Sequence, residues 1–216
     1  MKRPYVILNS AMSLDGRIGG KDERIRFSNE LDKKRVHRLR AGVDAVMVGI
    51  NSVLSDDPHL TVKYAEGKNP VRIVVDSGAR IPASARVLDG MAKTIVAVSE
   101  KACENERDKI RNLSEKAEFV VLKCCGDNKV DLRGLLEVLH EKGIKKLLLE
   151  GGGALNRSML EAGLVDEVFI TVAPVFIGDG VNLVSGSLDN RINLKFKDLL
   201  VLEDRIVLHY LIPTHF

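Results

Sequence analysis

The sequence predicts an α/β protein with a mostly parallel central sheet flanked by helices and an antiparallel C-terminal hairpin. Short, nearly continuous runs of Val, Ile and Leu indicate strands that are buried on both faces, as in parallel sheets covered by helices. Segments of helical composition separate these runs. The last third of the chain differs, because its apolar runs have no helix-length segment between them.

Six of the apolar runs are predicted as strands of the parallel sheet. They occupy residues 5–8, 44–49, 71–76, 94–98, 119–122 and 146–150. Three further strands are expected at residues 167–176, 193–202 and 205–212. The last two flank Glu203 and Asp204, and we therefore expect a hairpin there that adds an antiparallel edge to the sheet.

Four helices are predicted between the strands. One runs from a cap at Ser28 or Asn29 to residue 41, and the others cover residues 100–117, 132–139 and 156–162. Leucines recur at i, i+3, i+4 and i+7 in the third, which follows a cap at Asp131. No repeat or linker divides the 216 residues, so we expect a single domain over residues 1–216.

Composition argues against several classes of protein. The net charge of +3, from 33 basic and 30 acidic residues, is too balanced for nucleic-acid binding, and six Phe, three Tyr and no Trp are few for base stacking. No run of uncharged apolar residues is long enough for a membrane helix. The odd number of cysteines, three, favours a reduced, cytoplasmic compartment, and no CxxC or HxE motif predicts a metal site.

Two candidate ligand segments follow the first two strands. Residues 9–18 are small and polar after an apolar run, and Ala11 would let a ligand approach the backbone; an ordinary Asp-Gly turn is the alternative. Residues 48–58 carry Ser52 and Asp56, which face the same way at i and i+4. The alternative there is a helical turn that ends before the proline.

Two more candidate segments lie further along the chain. In residues 76–82, Arg80 suits the 2′-phosphate of NADP, whereas Asp76 suits a free ribose; a plain polar turn is the alternative. Residues 149–156 contain three successive glycines between a strand and a helix, which would let the backbone approach a pyrophosphate at a helix N-terminus. The basic run at residues 33–40 is either a solvated helix face or, in one or two members, a contact to an anionic ligand.

Several of these motifs occur together in an order typical of one family. They are MSLDGR at 12–17, LRAGVDA at 39–45, VG at 48–49, DDPHLT at 56–61, VVDS at 74–77 and EGG at 150–152. From about residue 4 to 212, the chain resembles the riboflavin-biosynthesis reductases, in particular the stand-alone type of archaea and fungi. The resemblance implies a fold similar to dihydrofolate reductase.

The resemblance also implies a reaction. NADPH, with NADH as the alternative, would reduce the ribosylamino side chain of 2,5-diamino-6-(5-phospho-D-ribosylamino)pyrimidin-4(3H)-one to the ribitylamino form. The hydride would go to C1′ of the ring-opened sugar, while the protein positions the two partners. We expect only the reductase domain, without the zinc deaminase domain of the bacterial relatives, and the resemblance implies a homodimer.

The family motifs assign roles to individual residues. The implied cofactor-binding residues are Asn9, Ala11, Gly49, Ser52, Asp56, Ser77, Gly78, Arg80, Gly151, Gly152, Gly153, Ala154 and Asn156. The implied substrate-binding residues are Arg40 and Lys63 at the sugar phosphate, Leu60, and Glu150 at the amino groups of the pyrimidine. Asp56, or a water molecule that it holds, is the candidate proton donor.

Two alternative functions are considered. The first is a reductase of the same fold that acts on the deaminated pyrimidine or on a pterin; the pterin case predicts an acidic residue on the helix after the first strand, where Asp32 is the nearest candidate. The second is a non-catalytic nucleotide-binding module, which would explain the glycine segment but not Arg40, Lys63 and Glu150.

Overall fold

Thirteen strands are present in residues 2–20, 25–125 and 129–213, which this computed structural model describes. They are β1 (Tyr5–Ser13), β2 (Arg17–Gly20), β3 (Ala45–Gly49), β4 (Val71–Val75), β5 (Thr94–Ser99), β6 (Glu118–Leu122), β7 (Cys124–Cys125), β8 (Lys129–Val130), β9 (Lys146–Leu149), β10 (Glu167–Ala173), β11 (Gly180–Asn182), β12 (Lys195–Leu202) and β13 (Arg205–Leu211). Nine of them form one sheet in the order β12-β13-β10-β1-β9-β3-β4-β5-β6.

The pairing within this sheet confirms the predicted fold class. All neighbours from β10 to β6 run parallel, whereas β13 is antiparallel to both β10 and β12. The β12–β13 turn lies at residues 203–204, as the hairpin prediction requires. Alternate residues of β3 enter different apolar clusters: Met47 packs on one face of the sheet, and Val46 and Val48 pack on the other. This burial on both faces accounts for the nearly continuous apolar runs.

Six α-helices and one short 3-10 helix, Arg86–Leu88, occur in the described residues. The α-helices are α1 (Glu30–Ala41), α2 (Ile50–Asp56), α3 (Glu100–Asn105), α4 (Arg107–Leu113), α5 (Leu132–Glu141) and α6 (Gly153–Glu161). Asn29 caps α1 by accepting a hydrogen bond from the Asp32 N–H at 2.9 Å, and Asp131 caps α5 in the same way. Both caps agree with the sequence prediction.

Several element boundaries differ from the prediction. The predicted helix over 100–117 is divided at Glu106, whose backbone leaves the helical region, so that Ala102 and Ile110 of the two pieces both reach the apolar cluster. The first strand continues to Ser13, because β1 is central and its second half pairs with β10. The helix α2, considered only as an alternative, is formed. The short ribbon of β2 and β11 was not predicted.

Arg72, predicted only as part of an apolar strand, binds the segment between residues 89 and 94 that leads into β5. Its guanidinium is fully buried and donates hydrogen bonds to Thr94 Oγ1 at 3.0 Å and Asp89 Oδ1 at 2.7 Å. Burial by itself raises the pKa of the Asp89 carboxyl, but hydrogen bonds from Arg72, the Met91 N–H and His59 lower it to about 2.

This lowered pKa makes part of the folding free energy dependent on pH. The contribution of Asp89 is complete above its unfolded pKa of about 4 and is lost as the pH falls towards the folded value. We expect Asp89→Asn to lose less of its free energy of unfolding than the wild type between about pH 5 and pH 2.5. Urea unfolding across this range measures the slope, and equal slopes would contradict the expectation.

Of the helices in the described ranges, none combines the length and the apolar character needed to cross a bilayer.

Candidate functional site

A cleft of about 1280 Å³ opens at the carboxyl ends of the parallel strands. Its walls come from the second half of β1, the ends of β3 and β4, the segment after β9, and the inner face of α1. Strand ends at one edge of a parallel sheet are the usual place for ligands in α/β proteins. All four candidate segments from the sequence therefore contribute to one site.

Most of the predicted site residues line this cleft. They are Asn9, Ala11, Arg40, Gly49, Ser52, Asp56, Leu60, Ser77, Arg80, Glu150, Gly152, Gly153 and Ala154. Four others do not. Gly78 lines a smaller neighbouring hollow, and Lys63 is exposed with its backbone N–H donating to His37 Nδ1 at 2.9 Å. Gly151 and Asn156 are buried and do not line the cleft.

The glycine segment forms a tight turn into α6. Gly151 and Gly152 have φ values of +90° and +86°, a region that favours glycine, and the Gly151 carbonyl accepts a hydrogen bond from the Gly49 N–H at 3.0 Å. A Cβ added at Gly152 would lie 3.0 Å from Ser52 Oγ. The turn thus brings β3, α2 and α6 close together.

The helix α6 begins at Gly153, three residues earlier than predicted. The Asn156 N–H is bonded to the Gly152 carbonyl at 2.9 Å, so the N–H groups of residues 153–155 precede the first helical bond. Such N–H groups and the positive end of the helix favour an anion. The Asn156 side chain instead donates to the Leu183 carbonyl at 3.0 Å, which ties α6 to the segment that follows β11.

Arg40 and Glu150, predicted to contact different parts of the substrate, bind each other. Arg40 Nε and Nη2 donate to the two carboxylate oxygens of Glu150 at 2.7 and 2.6 Å, and Nη1 donates to the Thr61 carbonyl at 3.0 Å. Burial lowers the pKa of the Arg40 guanidinium, but the charge and hydrogen bonds of Glu150 outweigh this and raise it. The two side chains therefore form a bidentate ion pair in the cleft wall. Each carboxylate oxygen keeps lone pairs that could accept a hydrogen bond from a ligand.

The candidate proton donor Asp56 lies at the end of α2. It lines the cleft and is exposed, and its carboxylate has no hydrogen-bond partner within the described part of the chain. Ser52 lies one turn earlier on the same side of the helix, as the i, i+4 spacing predicted. The role of Asp56 in proton transfer stays a prediction.

The far end of the cleft is basic. Arg80 reaches its rim and donates to Asn51 Oδ1 at 2.8 Å, and Ser77 Oγ accepts from the Val130 N–H at 3.0 Å. Two further basic residues at this end, Lys129 and Arg133, were missed in the sequence. Their sequence gives no sign that they belong to the cleft, because they lie more than 50 residues after β4 and reach it only in the folded chain.

The structure removes the conflict between Asp76 and Arg80. The Asp76 carboxylate is buried and accepts a hydrogen bond from the Ile81 N–H at 2.7 Å, inside its own turn. It does not line the cleft. Asp76 therefore presents no acidic group to a phosphate at this end of the cleft.

The inner face of α1 contributes more charged side chains to the cleft than the sequence predicted. Asp32 and Arg35 line the cleft together with Arg40, whereas Lys34 and Arg38 of the same basic run are exposed. The spacing of Asp32 and Arg40, two helical turns apart, could have indicated that they share a face. Among the described residues, no cluster of three or more His, Cys, Asp or Glu side chains could hold a metal ion.

Comparison with known families places this cleft in context. The family model of the RibD C-terminal domain matches residues 4–208. The chain belongs to the RibD C-terminal domain family. This confirms the resemblance inferred from the ordered motifs.

Relatives of the RibD C-terminal domain family extend this result. The chain is 47% identical over 217 residues to a protein of Methanothermobacter thermautotrophicus named 2,5-diamino-6-ribosylamino-4(3H)-pyrimidinone 5′-phosphate reductase, and the match covers 96% of this chain and 98% of the relative. A solved deaminase/reductase structure from Thermotoga maritima matches with a TM-score of 0.77 and 27% identity, covering 98% of this chain and 57% of that one. Dihydrofolate reductase from Enterococcus faecalis matches with a TM-score of 0.58 at 11% identity, which supports the fold alone.

Proposed function

We propose that this chain is an NADPH-dependent reductase of 2,5-diamino-6-(5-phospho-D-ribosylamino)pyrimidin-4(3H)-one that forms the ribitylamino product. The observation that carries the proposal is the meeting of the glycine turn and the Arg40–Glu150 pair in one cleft. The turn suits a dinucleotide, and the pair suits a phosphorylated, amino-substituted pyrimidine. The name of the 47% identical relative supports the choice of substrate.

The cleft residues fit a nicotinamide dinucleotide. Gly152 leaves space that a Cβ would fill against Ser52 Oγ, and Gly153 and Ala154 of the first turn of α6, whose N–H groups precede the first helical hydrogen bond, line the same cleft. When bound, the nicotinamide supplies a hydride for C1′ of the ring-opened sugar. The protein holds the two partners, excludes water from the cleft, and supplies the proton that the substrate nitrogen requires, for which Asp56 remains the candidate.

The basic end of the cleft supports a preference for NADPH over NADH. We expect Arg80→Met to raise the KM for NADPH by about tenfold, the effect of losing one charge-assisted hydrogen bond, and to leave the KM for NADH nearly unchanged. Arg111→Met, at an exposed position of α4 outside the cleft, is the control for loss of a surface charge. Equal losses with both cofactors would contradict a role for Arg80 at the 2′-phosphate.

On the substrate side, we propose that Arg40 and Lys63 attract the sugar phosphate. Lys63 does not line the cleft itself, but it is exposed only two residues after Thr61, whose carbonyl is bonded to Arg40. A lysine is a flexible point charge, so it suits a phosphate at the cleft mouth without a fixed geometry.

The exposed apolar side chains of the C-terminal strands support a homodimer. Phe196, Leu199 and Val201 on the edge strand β12 are each about half exposed or more, and Phe176, in the loop after β10, is 76% exposed. Such a group commonly marks a subunit interface. We also propose that residues 1–216 act as one reductase domain, because strands from both ends of the chain share one sheet. The cytoplasmic location stays a prediction.

The decisive test compares substrates at the nicotinamide absorbance band. Purified protein is mixed with NADPH and either the diamino pyrimidine phosphate, its deaminated counterpart, or dihydrofolate. We expect oxidation of NADPH with the diamino compound at a kcat/KM at least about tenfold above the others. Faster turnover of the deaminated compound or dihydrofolate would favour the same-fold alternatives. Tight NADPH binding without turnover would favour a non-catalytic module.

A further inference from the structure

A buried ion pair on α1 forms part of the cleft wall and has no role in the function proposed above. Asp32 is completely buried, and its Oδ1 accepts hydrogen bonds from Arg35 Nε at 2.8 Å and Thr171 Oγ1 at 2.9 Å. Arg35 Nη2 in turn donates to Asn9 Oδ1 at 2.8 Å and to Thr171 Oγ1 at 3.1 Å. The network joins α1 to β1 and β10.

This pair is poorly suited to a purely structural role. Asp32 Oδ2 and Arg35 Nη1 are buried and have no hydrogen-bond partner among the described residues. Buried charges that are incompletely hydrogen-bonded add little stability, and apolar or neutral side chains often replace them without loss. Its location in the cleft wall therefore points to a role in the site.

The contact with Arg35 determines how Asn9 is oriented. A guanidinium has only donors, so only the amide oxygen of Asn9 can face it. The NH2 group of Asn9 is then left without a partner in the described ranges, while the residue lines the cleft. An NH2 group is a donor only, and it complements an acceptor such as a carbonyl oxygen.

We propose that Asp32 and Arg35 are positioning residues that hold the Asn9 NH2 group towards the cleft, where it donates to a carbonyl oxygen of the bound ligand. The identity of that ligand rests on the proposed function. A pyrimidinone carbonyl and the carboxamide oxygen of nicotinamide present the same chemistry. The two sources differ in which ligand loses affinity when Asn9 is changed.

Asn9→Asp tests the donor directly. The variant keeps an oxygen towards Arg35 and gains a charge partner there, so we expect it to fold, but it presents an oxygen to the ligand instead of an NH2 group. Equilibrium titration with NADPH, and calorimetry with the diamino pyrimidine phosphate, measure the two affinities. We expect one of them to fall by at least about tenfold, as when a buried acceptor loses its donor and meets a second acceptor. Asn193→Asp, at an exposed position outside the cleft, is the matched control.

The positioning pair is tested by Asp32→Asn/Arg35→Met, which removes both charges and so leaves no unpaired buried ion. We expect a melting temperature close to that of the wild type and a fall of about 3- to 10-fold in the affinity that Asn9→Asp lowers, because the amide is free to rotate. The lysine in the single variant Arg35→Lys still has only donors, so we expect this variant to bind that ligand more tightly than the double variant does.

Unchanged affinities for both ligands in Asn9→Asp would overturn the inference. A double variant that loses melting temperature but neither affinity would assign the pair a structural role and also overturn it. Because both readouts are equilibrium binding, they do not depend on turnover. Absence of turnover in the wild type would contradict the proposed function and leave the binding result to decide the inference separately.

Discussion

Arg40→Met is expected to raise the KM for the phosphorylated pyrimidine by about 100-fold, because it removes a fixed cation and leaves Glu150 without its partner. The two side chains are only 15% and 11% exposed, so the unpaired carboxylate also lowers the free energy of unfolding, by about 2–3 kcal/mol. Steady-state kinetics and urea unfolding measure the two effects separately.

The protein contains a matched control for this prediction. Arg3 forms a similar bidentate ion pair with Asp166, in which Nη1 and Nη2 donate to the two carboxylate oxygens at 2.6 and 2.7 Å. These side chains are 16% and 13% exposed and lie outside the cleft. We expect Arg3→Met to lose a similar amount of stability and to keep the KM of the wild type. An equal rise in KM for both variants would show that the effect of Arg40→Met comes from destabilisation rather than from the site.

A double replacement separates the effect on stability from the effect on substrate binding. Arg40→Met/Glu150→Met removes both charges and leaves no unpaired ion, so it should recover most of the stability that Arg40→Met loses. The affinity for the phosphorylated substrate should remain low, because the cation is still absent. Recovery of KM together with stability would contradict a direct role for Arg40.

Gly152→Ala is expected to weaken NADPH binding by about 10- to 100-fold. The φ of +86° is unfavourable for alanine by about 1–2 kcal/mol, and the added Cβ would lie 3.0 Å from Ser52 Oγ. We expect the strain and the close contact together to displace the turn or Ser52 from the proposed cofactor site. Titration of NADPH by its fluorescence measures the loss without turnover.

Gly143→Ala separates backbone strain from the local contact. Gly143 has a φ of +87°, and a Cβ there would meet nothing within 4 Å. We expect a similar loss of melting temperature in this variant and no change in NADPH affinity. If Gly143→Ala weakened NADPH binding as much as Gly152→Ala, the glycine turn would have no specific role in holding the cofactor.

The local sequence was sufficient to predict most of the scaffold. The central parallel strands β3, β5 and β9 are runs of mainly apolar residues because both of their faces are buried. The helix caps at Asn29 and Asp131 are equally local, since the capping side chain and the N–H that it binds lie within three residues. The three glycines indicated a turn that other residues would not adopt.

The partners of the charged side chains were not predictable in this way. Arg40 and Glu150 are 110 positions apart, and Arg35 and Thr171 are 136 apart. Their contacts depend on β1 lying between β9 and β10, an order that no local pattern encodes. Asp76 illustrates the same point, because only the closed turn shows that its carboxylate binds the Ile81 N–H rather than a ligand.

By itself, the sequence determined the α/β class, the antiparallel C-terminal hairpin, the segments that carry the site and the family to which they belong. These properties follow from short-range periodicity, caps, turns and ordered motifs. Only the tertiary structure decided which side chains meet in the cleft, that Arg40 binds Glu150, and that Asp32 and Arg35 orient Asn9. The physical reason is that hydrogen bonds and ion pairs act over about 3 Å, and strand order and register bring distant residues within that range.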